Sequence, residues 1–126
     1  MTPEARRRLA LLVVWLLSLG LRVLFLAGMT PSETLRADAL TYSVLASNLV
    51  NHETYSESVT PPFQPYVRKP PGYPVLLAPF FAGRDLLTGA AAAMRAQVVV
   101  GSLLPPLVVV LGLRILPAPL RWSPDC

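Results

Sequence analysis

From Leu9 to Gly28 the chain is a long apolar run whose only charge is Arg22. This run of about 20 residues gives ~30 Å of helix at ~1.5 Å per residue, enough to cross the hydrocarbon of a bilayer. The pattern predicts a transmembrane helix over 9–28. A second apolar run, Gly89 to Leu113, is also long enough to span, with Arg95 near its start and Pro105-Pro106 placing a kink inside it. Between 38 and 50 the spacing is helical. Ala39, Tyr42, Leu45, Ala46, Leu49 and Val50 share one arc, with Thr41, Ser43, Ser47 and Asn48 elsewhere, which predicts a short amphipathic helix. At about 13 residues it is too short to span and is expected to lie in the interface plane. Residues 51–69, with Pro61, Pro62 and Pro65, are expected to be an extended loop. A second interfacial or re-entrant helix is predicted over 72–84, with Pro79 bending or breaking it.

Charge orients these elements. Arg6, Arg7 and Arg8 precede the first run, and Arg114 and Arg121 follow the second. The bias of positive charge toward the cytoplasm puts both ends inside, with two crossings. The layout is then an all-helical membrane protein: cytoplasmic 1–8, helix 9–28, extracytoplasmic loop 29–88, helix 89–114 and cytoplasmic tail 115–126. The membrane expected is the bacterial cytoplasmic (inner) membrane. A cleaved signal peptide is disfavoured by the length of the first run, by Arg22 within it and by the lack of a small-x-small site after it. Arg22 has two readings: a side chain snorkelling to the headgroups, or an intramembrane cation facing a phosphate.

Composition agrees with this picture. Hydrophobic residues make up 53% of the 126 positions and charged ones 14%, too apolar a balance for an ordinary soluble surface. The net charge of +4 comes from cations that mostly punctuate apolar runs instead of lining one polar face, which argues against a nucleic-acid partner. Cys126 is the lone cysteine and permits no intrachain disulfide. His52 stands without metal-type ligands at regular spacing and reads as a loop histidine, so no metal site and no cofactor is identified.

The polar and aromatic residues of the loop suggest chemistry. Asp38, Tyr42, Asn48, Tyr55, Ser56, Arg68, Lys69 and Tyr73 all fall within reach of the membrane surface. A carboxylate and two cations there suit transfer from a membrane-bound phosphate ester: cations hold the phosphate and a carboxylate takes the proton of an incoming hydroxyl.

Two blocks carry a resemblance. Asp38-Ala39-Leu40-Thr41-Tyr42-Ser43-Val44-Leu45-Ala46-Ser47-Asn48-Leu49, followed by Tyr55-Ser56, resembles the segment after the first membrane helix of GT-C integral-membrane glycosyltransferases. The branch is that of protein O-mannosyltransferases and bacterial aminoarabinose-lipid transferases. Arg68-Lys69-Pro70-Pro71-Gly72-Tyr73-Pro74 resembles the same family's Arg-x-Pro-Pro-Gly-Tyr-Pro block, and Arg95 with Gln97 resembles the pair opening its next membrane helix. The resemblance implies inverting transfer of a sugar from a polyprenyl-phosphate donor to an acceptor hydroxyl on the outer face. Asp38 would be the general base, and Arg68 and Lys69 would hold the donor phosphate. Tyr42, Asn48, Tyr55 and Tyr73 are candidate substrate-loop residues. The full-length enzymes leave room for a divalent cation, which nothing in this sequence supports.

Each role has a plainer rival. Asp38 is also a favoured helix N-cap, Arg68 and Lys69 also suit lipid headgroups, and the tyrosines also suit interfacial anchoring. Because such transferases carry many more membrane helices, the chain is expected to be an N-terminal portion, inactive alone, whose partners are membrane lipid, the donor and the missing remainder. The alternative is a small two-pass interaction or accessory protein without catalysis.

Overall fold

The computed structural model describes residues 2–30 and 35–115 and shows five helices and no strand among them. They are α1 (Pro3–Ala27), α2 (Asp38–Asn51), α3 (Gly72–Phe81), α4 (Leu86–Ser102) and α5 (Leu104–Ile115). Two stretches are long and apolar enough to cross a membrane: α1, and Leu86–Ile115, which comprises α4 and α5. The expected tail beyond 115 lies outside the described residues.

The chain divides into two compact units. The first joins α1 up to Leu26 with the described residues from Val98 onward. None of α1 is buried, and Leu17, Leu21, Leu24 and Phe25 each leave more than half of their surface open. Large apolar side chains left open along a helix of this length are what a membrane-crossing segment presents. One hydrogen bond and one close approach tie α1 to the second stretch. Trp15 Nε1 donates to Ser102 Oγ at 3.0 Å, and the fully buried Ser102 hydroxyl donates in turn to Val99 O at 2.6 Å. Arg22 lies across Gly101, its Nη1 only 2.9 Å from where a Cβ would sit, so glycine there admits the guanidinium.

The helical run is interrupted at Leu103, two residues before the expected Pro105-Pro106 kink. Proline disfavours helical geometry in the residue before it and cannot donate to the preceding turn. Starting a new helix at Leu104 puts both prolines in its first turn, where N–H groups have no intrahelical acceptor anyway.

The second unit, Ala27–Gln97, holds α2, α3 and most of α4. Ala46 from α2, Leu77 and Phe81 from α3, and Ala90 and Ala93 from α4 form its core. Small residues on α2 and α4 leave room for the Phe81 ring, which is fully buried. Gly89 is the tightest case, since a Cβ there would run into that ring.

The buried face of α2 differs from the arc read in the sequence. Leu45 and Ala46 are buried, but so are Ser43, Val44 and Asn48, while Ala39 and Val50 are exposed. The loop after α2 folds back over the helix, so one apolar stripe toward a flat surface does not describe its surroundings. Helix α3 runs through Pro79 and stops at Phe81, short of the expected 84. Its free carbonyl ends are met locally: Asn51 Nδ2 and Arg84 N donate to Phe81 O at 3.0 and 3.1 Å, and Arg84 Nη1 donates to Phe80 O at 3.0 Å. Gly83 turns the chain away with φ of 64°, a conformation natural to glycine.

Candidate functional site

The site grows from the end of α2. Asn48 is 5% exposed, and its main-chain carbonyl accepts from His52 N at 2.9 Å and Thr54 N at 3.3 Å, closing the helix. Its side chain reaches into the loop, where Nδ2 donates to Ser56 O at 2.7 Å and to Ser58 O at 2.9 Å. Ser56 is fully buried and its Oγ accepts from Ser58 N at 3.2 Å. These bonds organise a proline-rich segment that has no repeating structure of its own. Farther along, Tyr66 N donates to Tyr55 O at 2.9 Å, and the hydroxyl of Tyr55 donates to Lys69 O at 2.9 Å. His52 stacks on Phe63 with 4.8 Å between ring centroids.

The folded loop sets Lys69 against the start of α2. Its Nζ lies 2.5 Å from Asp38 Oδ1, although 31 residues separate the two. Asp38 is the first residue of α2, not its N-cap. Ala37 holds the cap position with φ of 48°, and no side chain caps the helix. A carboxylate in the first turn gains from the helix dipole, and this one directs its hydrogen bond to Lys69 instead of the backbone. Asp38 remains 81% exposed in its side chain, whereas Lys69 is 20% exposed.

An aromatic platform supports the cation. Lys69 Nζ sits 4.6 Å from the centroid of the Tyr42 ring. Tyr42 meets Tyr73 edge to face, with centroids 5.1 Å apart and an interplanar angle of 90°. Gln97 Nε2 donates to Tyr73 Oη at 2.6 Å. One connected path thus runs from Asp38 on α2 through Lys69 in the loop, Tyr42 and Tyr73 to Gln97 on α4. The hydrogen bond to Asp38, with that carboxylate's charge, holds the Lys69 ammonium above the usual lysine value against the opposing effect of partial burial. Burial likewise raises the Tyr55 phenol, keeping it a donor.

Beside Lys69 opens a shallow groove of about 630 Å³ lined by Leu49, Tyr55, Tyr66, Arg68, Lys69 and Val75, among others. Arg68 is exposed at this groove, and its side chain makes no hydrogen bond or ion pair among the described residues. The groove therefore combines one committed cation, one free cation and apolar walls.

Of the residues singled out in the sequence, Asp38, Lys69, Tyr42 and Tyr73 come into one chain of contacts, with Tyr55 buttressing Lys69 from behind. Arg68 lines the adjoining groove. Asn48 does not face outward, because both of its side-chain bonds hold the loop. Tyr66 and Gln97 join the site without being among the residues the sequence pattern marks for it; Gln97 carries a signal in its spacing from Arg95, and Tyr66 carries none. No protein-family model matches the chain, and no match to a curated protein or to a solved structure is found.

Proposed function

We propose that this chain is a two-pass membrane protein that contributes an acceptor-and-phosphate half-site to a glycosyltransferase of the GT-C kind, on the extracytoplasmic face. The observation that carries the reading is the pairing of Asp38 with Lys69 beside a groove that also holds the free cation Arg68. In the proposed reaction an acceptor hydroxyl attacks the anomeric carbon of a polyprenyl-phosphate sugar. The new C–O bond forms as the bond to the phosphate oxygen breaks, and Asp38 takes the hydroxyl proton. Lys69 occupies Oδ1, and Oδ2 has no partner among the described residues and is available to that proton. Arg68 and Lys69 offset charge on the departing lipid phosphate. The membrane setting is supported by two apolar stretches of spanning length and by the contact of α1 with the second of them through Trp15 and Ser102. The Arg6-Arg7-Arg8 cluster ahead of the apolar run suits an N-terminus in the cytoplasm of a bacterial inner-membrane protein.

The exposure of Asp38 argues that further elements complete the site, since transfer to a chosen hydroxyl requires a water-excluding cavity. The chain alone is accordingly expected to bind the lipid phosphate without turning over. Binding of a polyprenyl phosphate to the chain in phosphatidylcholine nanodiscs tests this: Arg68→Gln should weaken it about tenfold, the loss of one charge-assisted contact of ~1.4 kcal/mol. Asp38→Asn should leave binding within a few-fold, and in the completed transferase it should abolish transfer. Absence of saturable binding by the parent chain would defeat the proposal. A second reading, a non-catalytic interaction protein, draws on the outward-facing Val59 and Val67, which are 73% and 91% exposed in the same loop. Partner capture lost on Val67→Ser, with no phosphate binding, favours it.

A further inference from the structure

The membrane-associated unit holds a second concavity, remote in sequence from Asp38 and Lys69. It is an apolar groove of about 600 Å³ between the first half of α1 and the end of α5. Ala10, Leu11 and Val14 form one wall, Val109 and Leu113 the other, and Arg6 and Arg7 stand at its N-terminal mouth with Pro3.

The charges at the mouth are uncompensated. Glu4, the acidic residue of the first turn, is paired with Arg8 at 3.9 Å, and neither lines the groove. The side chains of Arg6 and Arg7 have no hydrogen bond or ion pair among the described residues. From Arg6 to Val14 the helix rises ~12 Å, within the ~15 Å depth of one leaflet's hydrocarbon. The cations thus stand at headgroup depth when the walls stand at acyl-chain depth.

We propose that this groove is a binding site for an anionic phospholipid, its phosphate between Arg6 and Arg7 and one acyl chain along the walls of α1 and α5. Charge complementarity selects this occupant. A helix of another protein would cover the apolar walls but leave both cations unmatched, and a free phosphate would match the cations but leave the walls wet. One phospholipid satisfies both, and the volume is that of a small-molecule site. The proposal rests on the reading of this chain as a two-pass membrane protein.

Trp15 follows the wall residue Val14 and reports on the groove once Trp122→Phe removes the second tryptophan. The full chain in phosphatidylcholine vesicles would receive a minor fraction of dibrominated phosphatidylglycerol or dibrominated phosphatidylcholine, with quenching of Trp15 as the readout. An apparent preference of about tenfold for the anionic lipid is expected from two nearby cations. Arg6→Gln with Arg7→Gln should abolish that preference. Val14→Phe with Leu11→Phe, which keeps the charges and fills the groove, should abolish it too. Inorganic phosphate, against sodium chloride of equal ionic strength, should leave it intact. Equal quenching by both lipids would overturn the site but leave the membrane reading standing. So would a preference that survives groove filling, displacement by inorganic phosphate, or crosslinking of two copies through Leu11. Quenching by neither lipid would show that α1 is outside the bilayer and end both readings.

Discussion

Replacing Asn48 by alanine removes the donor that organises the 52–69 segment while leaving the main-chain end of α2 intact. Two carbonyls then lose their partner. Ser56 O is in a fully buried residue, so water cannot readily take over, and its orphaning costs about 1–3 kcal/mol. Ser58 O is in a partly exposed residue and contributes less, on the order of 0.5–1 kcal/mol. A combined loss of roughly 1.5–4 kcal/mol raises the population of the open loop by roughly 10- to 700-fold. Hydrogen exchange of the detergent-solubilised chain, read by mass spectrometry, should show that acceleration for the amide of Tyr66, which bonds Tyr55 O, and little change in α1. Asn48→Asp should exchange faster still, because it sets a carboxylate against two carbonyls. If both variants keep parental exchange over 52–69 yet lose polyprenyl-phosphate binding, Asn48 touches ligand and does not organise the loop.

Gly89→Ala sets two effects against each other: a helix-propensity gain of about 1 kcal/mol and overpacking against the buried Phe81 ring of about 1–3 kcal/mol. Urea unfolding followed by circular dichroism should show net destabilisation, reversed to a gain in a Phe81→Leu background; stabilisation in both backgrounds would mean the ring yields freely. At alkaline pH the tyrosines and Lys69 supply a further check. Both Tyr55 and Lys69 have folded-state values raised above their ordinary ones, so the folded form holds these protons more tightly. Their stabilisation is complete below the ordinary values and is lost as pH climbs through the raised ones, a window opening above about pH 10. Phenolate absorbance should show a late-titrating component that vanishes in Tyr55→Phe, and its persistence in that variant would contradict the burial assigned to Tyr55.

The helices are largely legible in the sequence because each has a local cause. An unbroken apolar run marks α1, helical spacing marks α2, and proline at the first turn marks the start of α3 and the restart at Leu104. What escapes a sequence reading is whatever depends on the loop's path. Asp38 at a helix start looks like a cap, and only the return of Lys69 across 31 residues turns its side chain elsewhere. Asn48 among exposed-looking polar residues gives no sign that two loop carbonyls will fold onto it. The error in the buried face of α2 has the same origin, for Ser43 and Asn48 are covered by chain that arrives later.

Asn51 is the last residue of α2, and its side chain closes α3, with Nδ2 donating to Phe81 O and Oδ1 accepting from Gly83 N, each at 3.0 Å. The end of one helix therefore supplies the stop for another whose end lies 30 residues on in the sequence. Their lengths are not independent variables: a residue inserted in either would carry the Asn51 amide out of register with Phe81 O and Gly83 N and leave the end of α3 uncapped. Length change in this part of the chain is confined to the outer arc of the loop between them, so related chains should vary there in length while the span from Asp38 to Asn51 and that from Gly72 to Gly83 stay constant.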